Sequence, residues 1–205
     1  MLTSDFLARF GAMVFGAALA ASATMSYAQN TSEGSEESGS GAVELNLGEE
    51  AEPQVGQAYA QETYGDWEMR CLRTETPEDD PCQMYQLVND KDGNPVAEVS
   101  MFRLPEGGQA KAGATIVVPL ETSLQQRLTI QIDSNKAKQY PFSFCNQLGC
   151  YARIGLTDED ISAYRRGAVA NLVITAMIAP DERVVLPLSL TGFTKAFENA
   201  SVIQQ

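Results

Sequence analysis

Four cysteines, at positions 71, 82, 145 and 150, and a complete absence of histidine set the chemistry open to this chain. The last two frame the stretch "CNQLGC", Cys145 to Cys150, which is compatible with a metal clamp, a redox centre or a structural bridge. Structural zinc sites bring thiolates together in knuckles of two to four intervening residues. Only Cys145 and Cys150 approach that spacing, because Cys71 and Cys82 have ten residues between them. A thioredoxin-like centre expects two residues between its cysteines at a helix start, which neither pair supplies. In an exported chain an even number of cysteines reads as a disulfide framework, and four cysteines allow three connectivities. Cys71–Cys82 with Cys145–Cys150 is favoured, since each pair brackets turn-rich residues between two expected strands. "NQLG" then becomes a hairpin loop, with Cys145 opposite Cys150 at its base and Phe144 facing Tyr151. Loop closure alone gives such a small ring about 2 kcal/mol and the wider one about 3 kcal/mol. A labile bridge at 145–150 is the redox alternative.

The missing histidine excludes Ser-His-Asp and Cys-His nucleophilic catalysis, histidine-ligated metals and c-type haem attachment. Carboxylate-pair chemistry would need Asp66, Glu68, Asp133 or Asp158 to converge, yet strand-edge and helix-cap roles account for each. A Ser-Lys arrangement has no better basis, as Lys111, Lys136, Lys138 and Lys195 all lie in polar surroundings. "DED" at 158–160 suits a helix N-terminus before it suits calcium. No catalytic residue, metal ligand or cofactor is assigned, and the expected class is not an enzyme.

The first 28 residues read as a cleavable export signal, with Arg9, the apolar run "GAMVFGAALAA" and small residues ending at Ala28. That run is too short to span a bilayer, and no later segment is long and apolar enough. Residues 29–63 are rich in Ser, Gly and Glu, carry eight acids and no Lys or Arg, and read as a disordered acidic linker. Within it, "AVELNL" is a transient strand or docking element at most. The formal charge is −13, and with the linker set aside the remainder is only mildly acidic, an ordinary soluble surface. No nucleic-acid partner is expected, because phosphate recognition needs a concentrated basic face.

Residues 64–205 are enough for one domain with one core. "DWEMRC" alternates Trp67, Met69 and Cys71 with polar residues, the period of a half-buried strand, and Trp67 is expected in the core. "CQMYQLVN", "VAEVSMF", "ATIVVP", "RLTIQID", "QYPFSFC", "CYARIGL", "VANLVITAMI" and "ERVVLPLSL" continue the series, separated by turns such as "DKDGNP". Pro187 places its strand at an edge or a bulge. "TDEDISAYRRG" is a helix with Thr157 as N-cap, Asp160 three residues on and Gly167 as the stop, and "FTKAFENA" is a second, short one. The expected fold is all-β, an antiparallel sandwich or barrel-like domain with one or two short helices.

"YGDWEMRC" with its following cysteine, "RLTIQIDSNKAKQYPFSFCNQLGC" and "LPLSLTGFTKAFE" together resemble the invasion-associated locus B family of alphaproteobacteria. The resemblance spans roughly 64–199. Its most specific pieces are Trp67-x3-Cys71, Cys145-x4-Cys150 with Gly149, and Ser189-Leu190-x-Gly192-Phe193. It implies a small exported envelope protein, periplasmic, loosely outer-membrane associated or secreted. Some relatives are associated with entry into host cells, while many occur in bacteria with no invasive life. The resemblance transfers no catalytic residue, and the acidic stretch at 29–63 departs from a compact family domain. The expectation is therefore action through protein or surface contacts, with an envelope or host-surface protein as partner of unspecified identity and the oligomeric state left open. Phe193 and Phe197, four apart on one helix side, mark a possible binding face, although core packing explains such a pair more simply. The rival classes are a periplasmic small-molecule or glycan binding module and a redox-active or carboxylate-based enzyme.

Overall fold

A computed structural model describes residues 47–204. The expected export signal, most of the acidic stretch and nearly all of "AVELNL" lie outside those residues.

The described chain is mainly antiparallel β-structure in two sheets. Seven strands form the larger sheet: β1 (Ala58–Tyr64), β2 (Trp67–Leu72), β3 (Cys82–Asn89), β4 (Pro95–Arg103), β5 (Ala112–Val118), β8 (Phe144–Asn146) and β9 (Gly149–Leu156). Their spatial order is β1-β2-β3-β4-β5-β9-β8. The smaller sheet is β11-β10-β6-β7, from β6 (Leu128–Ile132), β7 (Lys138–Tyr140), β10 (Val169–Thr175) and β11 (Arg183–Ser189). Two helices complete the domain, α1 (Asp158–Arg166) and α2 (Phe193–Asn199).

Side-chain alternation explains why the sheets face each other. Met69, Met84, Val99, Met101, Ala114, Ile116, Ala152 and Ile154 point inward from the larger sheet, while Leu128, Ile130, Leu172, Leu186 and Leu188 point inward from the smaller one. Together they make one hydrophobic core. Gln86 is the polar exception on the inner face of β3. Its amide donates to the Ser189 carbonyl at 3.1 Å and accepts from the Ser189 N–H at 2.9 Å, tying β3 to β11 of the opposite sheet.

Both helices follow their sequence signals. Thr157 accepts from the Asp160 N–H while the Asp160 carboxylate accepts from the Thr157 N–H, a reciprocal capping box at α1. Burial alone would push Asp160 up, but bonds from Lys138 and Thr157 outweigh it and hold the carboxyl below its ordinary value. Pro187 sits on β11, an edge strand, as a residue without an N–H requires.

Two expectations are corrected. The ordered chain begins before residue 64: Gly56 and Gln57 already bond to the Arg73 backbone, and β1 takes Ala58–Thr63 from the stretch read as linker. β1 escaped sequence reading because an edge strand with mostly exposed side chains shows little apolar alternation; only Tyr59 and Tyr64 pack inward. "QYPFSFC" is not one strand either. It ends β7 at Tyr140, bends at Pro141 and enters the other sheet as β8 at Phe144, so the chain changes sheets where proline removes a ladder donor.

At one end of the core the turn between β1 and β2 meets the turn between β11 and α2. A Cβ on Gly192 would lie 1.9 Å from the Tyr64 carbonyl oxygen, and one on Gly65 would lie 2.6 Å from the Thr191 oxygen. Both glycines adopt left-handed backbone, and Asp66 N–H donates to the Thr191 carbonyl across the contact. The approach seats Phe193 against Trp67, edge to face at 5.7 Å, and beneath Tyr164 and Phe197, stacked at 5.3 and 5.7 Å. Phe193→Ala is expected to cost about 3–5 kcal/mol, read as a lower midpoint in urea with an unchanged slope; a loss below about 1 kcal/mol would contradict this packing.

Candidate functional site

The cysteines pair as expected, Cys71 with Cys82 and Cys145 with Cys150. Each bridge joins directly opposed residues of neighbouring antiparallel strands, with Cα atoms 4.0 Å apart. No thiol among the four remains to hold a metal, and the described residues contain no group of three or more Cys, Asp or Glu placed to do so. The hairpin loop is tighter than the sequence suggested: Asn146 pairs with Gly149, leaving Gln147 and Leu148 as a two-residue turn. Phe144 faces Tyr151 as expected, its ring stacked at 4.7 Å.

Phe193 and Phe197 do not form a binding face. They are 1% and 6% exposed, because α2 turns them onto the inner surface of the larger sheet. The four acids weighed for catalysis have structural partners or positions. Asp66 accepts from the Ser189 hydroxyl at 2.5 Å, and Glu68 pairs with Arg70 two residues along its own strand. Asp133 accepts from the Ala168 and Val169 N–H groups at 3.1 Å, and Asp158 opens α1. Lys111 and Lys138 pair with Glu106 and Asp160.

Among the described residues, no helix or strand packs on the outer face of the seven-stranded sheet. Register places Glu68, Tyr85, Ser100, Thr115 and Arg153 in one cross-strand row. The next row is Leu87, Glu98, Val117, Tyr151 and Phe144. Leu87 and Phe144 are 47% and 43% exposed, and Leu148 projects from the adjoining turn. The Arg70 guanidinium lies 3.3 Å from the centre of the Tyr85 ring, and that of Arg153 lies 5.5 Å from the Phe144 ring. Two hollows, of about 510 and 880 Å³, share Phe102 as a wall. Phe102 lies over Gly113, where a Cβ would meet the ring at 2.5 Å, so the ring can lie flat there only because that strand position has no side chain. Aromatic rings flanked by arginines are the side chains enriched at the centres of protein contacts.

With this geometry established, residues 67–201 match the family described as "Invasion associated locus B (IalB) protein". The chain belongs to that family. Invasion protein B homologs of Brucella abortus, from strain 2308 and from biovar 1 strain 9-941, are each 25% identical to it over 148 residues, covering 72% of this chain and 83% of theirs. The crystal structure of invasion associated protein B from Bartonella henselae matches with a TM-score of 0.52 at 23% identity, over 66% of this chain and 91% of that one. At that identity the likeness speaks to the fold. The match begins at Trp67, so β1 and the turn carrying Gly65 lie outside it.

Sequence reading missed Asp80, which sits in the loop between β2 and β3. It accepts from Thr74 N–H at 2.6 Å, Thr74 hydroxyl at 2.9 Å and Tyr59 hydroxyl at 2.8 Å, and pairs with Arg73 at 3.1 Å. Burial pushes its carboxyl up, and these bonds more than reverse the shift. "PEDDPC" offered three acids with nothing to separate the buried one from its neighbours.

Access distinguishes the two bridges. Cys145 is exposed on a three-residue edge strand, whereas Cys71 and Cys82 are buried. Graded dithiothreitol with alkylation and peptide mapping should therefore label Cys145 and Cys150 first, because exchange requires a thiolate to reach a sulfur. Simultaneous labelling of all four would show that global unfolding, rather than access, controls reduction.

Proposed function

We infer that this chain is a non-enzymatic, exported envelope protein that works through protein contacts made by the open face of its seven-stranded sheet. The observation that carries the reading is the group of Phe144, Tyr151 and Arg153, with Leu87 about half exposed in the same cross-strand row as Phe144 and Tyr151, on a face that no other element of the described chain covers. Two disulfides support export to an oxidising compartment, and with the expected leader the reading is a periplasmic, outer-membrane associated or secreted protein. Among the described residues no helix is long and apolar enough to cross a membrane. The relatives' names associate them with invasion, and contact with an envelope or host-surface protein is the form that role would take here.

Site-specific photocrosslinking in the bacterial envelope tests the reading. A crosslinker at Leu87 or Phe144 should give discrete adducts, and one at Val185, exposed on the other sheet, should not. Phe144→Ala with Arg153→Glu should abolish the adduct at Leu87 while shifting stability by less than about 1 kcal/mol. Equal adducts from both sheets would contradict it.

A further inference from the structure

The smaller sheet has a concavity of its own, apart from the open face. Between α1 and the β6–β7 edge lies a cleft of about 390 Å³, a volume within the range of small-molecule sites. Its apolar floor comes from Ile130, Ile132 and Ala163, and Tyr140 and Tyr164 supply aromatic surface.

The charges around this cleft are not balanced. Lys138 and Asp160 pair with each other, and Asp160 is further occupied by Thr157. That leaves Lys136 and Arg166, both exposed on the rim, with no carboxylate in ion-pair range among the described residues. Glu159, in the first turn of α1, is the one remaining acid lining the cleft. An excess of cation on a rim is notable in a chain of formal charge −13. The phenol hydroxyls of Tyr140 and Tyr164 have no hydrogen-bond partner among the described residues, and both are pushed up, first by burial and then by the negative charge of Asp160 among their neighbours. They therefore stay protonated and available as donors at neutral pH.

We propose that the cleft between α1 and β6–β7 binds a small carboxylate carrying a compact ring. Lys136 and Arg166 receive the carboxylate, for which charge-assisted bonds provide selectivity, and the ring lies against Tyr140 over the isoleucine floor. The phenol hydroxyls serve the ligand's remaining polar groups. Asp160, already neutralised by Lys138, does not repel it.

Amide-resolved NMR titration of the full mature chain with glucuronate and, separately, benzoate tests this, with glucose and benzyl alcohol as neutral counterparts. At least one acid should produce saturable shifts confined to β6, β7 and α1, and its neutral counterpart should bind at least about tenfold more weakly. Lys136→Ala with Arg166→Ala should weaken the acid by a similar factor, while Arg166→Lys retains most of the affinity. Both positions are exposed, so the fold is not at risk, and an unchanged amide spectrum in the free variants verifies it. Absence of saturable shifts with both acids, shifts mapping to the outer face of the larger sheet, or equal affinity in the double variant would each overturn the proposal. None of these results bears on the crosslinking at Phe144, so the two readings fail independently.

Discussion

The closest physical constraint in this domain is the contact between two backbone turns, Tyr64–Gly65–Asp66 and Thr191–Gly192. No side chain fits between them: at Gly192 even a methyl group would overlap the Tyr64 carbonyl. Three further links hang on that approach. Asp66 takes the Ser189 hydroxyl, Gln86 grips the Ser189 backbone from inside the larger sheet, and Phe193 drops onto Trp67. One small region thus fixes the separation of the two sheets at that end and the seat of α2.

The consequences reach the surface. With α2 and the smaller sheet on its inner side, the larger sheet has one face committed to the core and one that no described element covers, and the alternation along each strand decides which residues fall where. The two disulfides act on the same sheet. Cys71–Cys82 ties β2 to β3 near the C-terminal segment, where Ser201 bonds to both backbone groups of Cys82. Cys145–Cys150 holds a three-residue strand that would otherwise have few bonds, and so keeps Phe144 stacked on Tyr151. The disulfides brace the sheet that carries the open face, and they leave no thiol to act as a nucleophile or a metal ligand.

Much of this was legible in the sequence. The period-two alternation at Trp67–Met69–Cys71 and Leu128–Ile130–Ile132 showed inward faces, and Thr157 with Asp160 showed the start of a helix, because those signals are local. The cysteine pairing was legible because each pair brackets a turn. What could not be read depends on distant partners. Asp80 is buried by Arg73, Thr74 and Tyr59 in a loop whose sequence suggests solvent. Gln86 looks like any polar strand residue until β11 arrives. The spacing of Phe193 and Phe197 fits core packing or a binding face, and the position of α2 decides for the core. The open face was equally hidden, since its rows assemble from five strands. The cleft at α1 likewise joins segments that are separated in sequence.

Glycine substitution offers the most direct test of the central constraint, because two positions share the same backbone angle and differ in their surroundings. Gly192 and Gly93 both have φ of +85°, but a Cβ at Gly93 meets nothing within 4 Å. Gly93→Ala should therefore cost only the left-handed penalty of about 1–2 kcal/mol. Gly192→Ala should lose several kcal/mol more, or fail to unfold cooperatively at all, when the two are compared by denaturant titration. Equal midpoints for the two variants would mean that the turns do not meet as described, and that something other than this backbone contact holds the sheets in place.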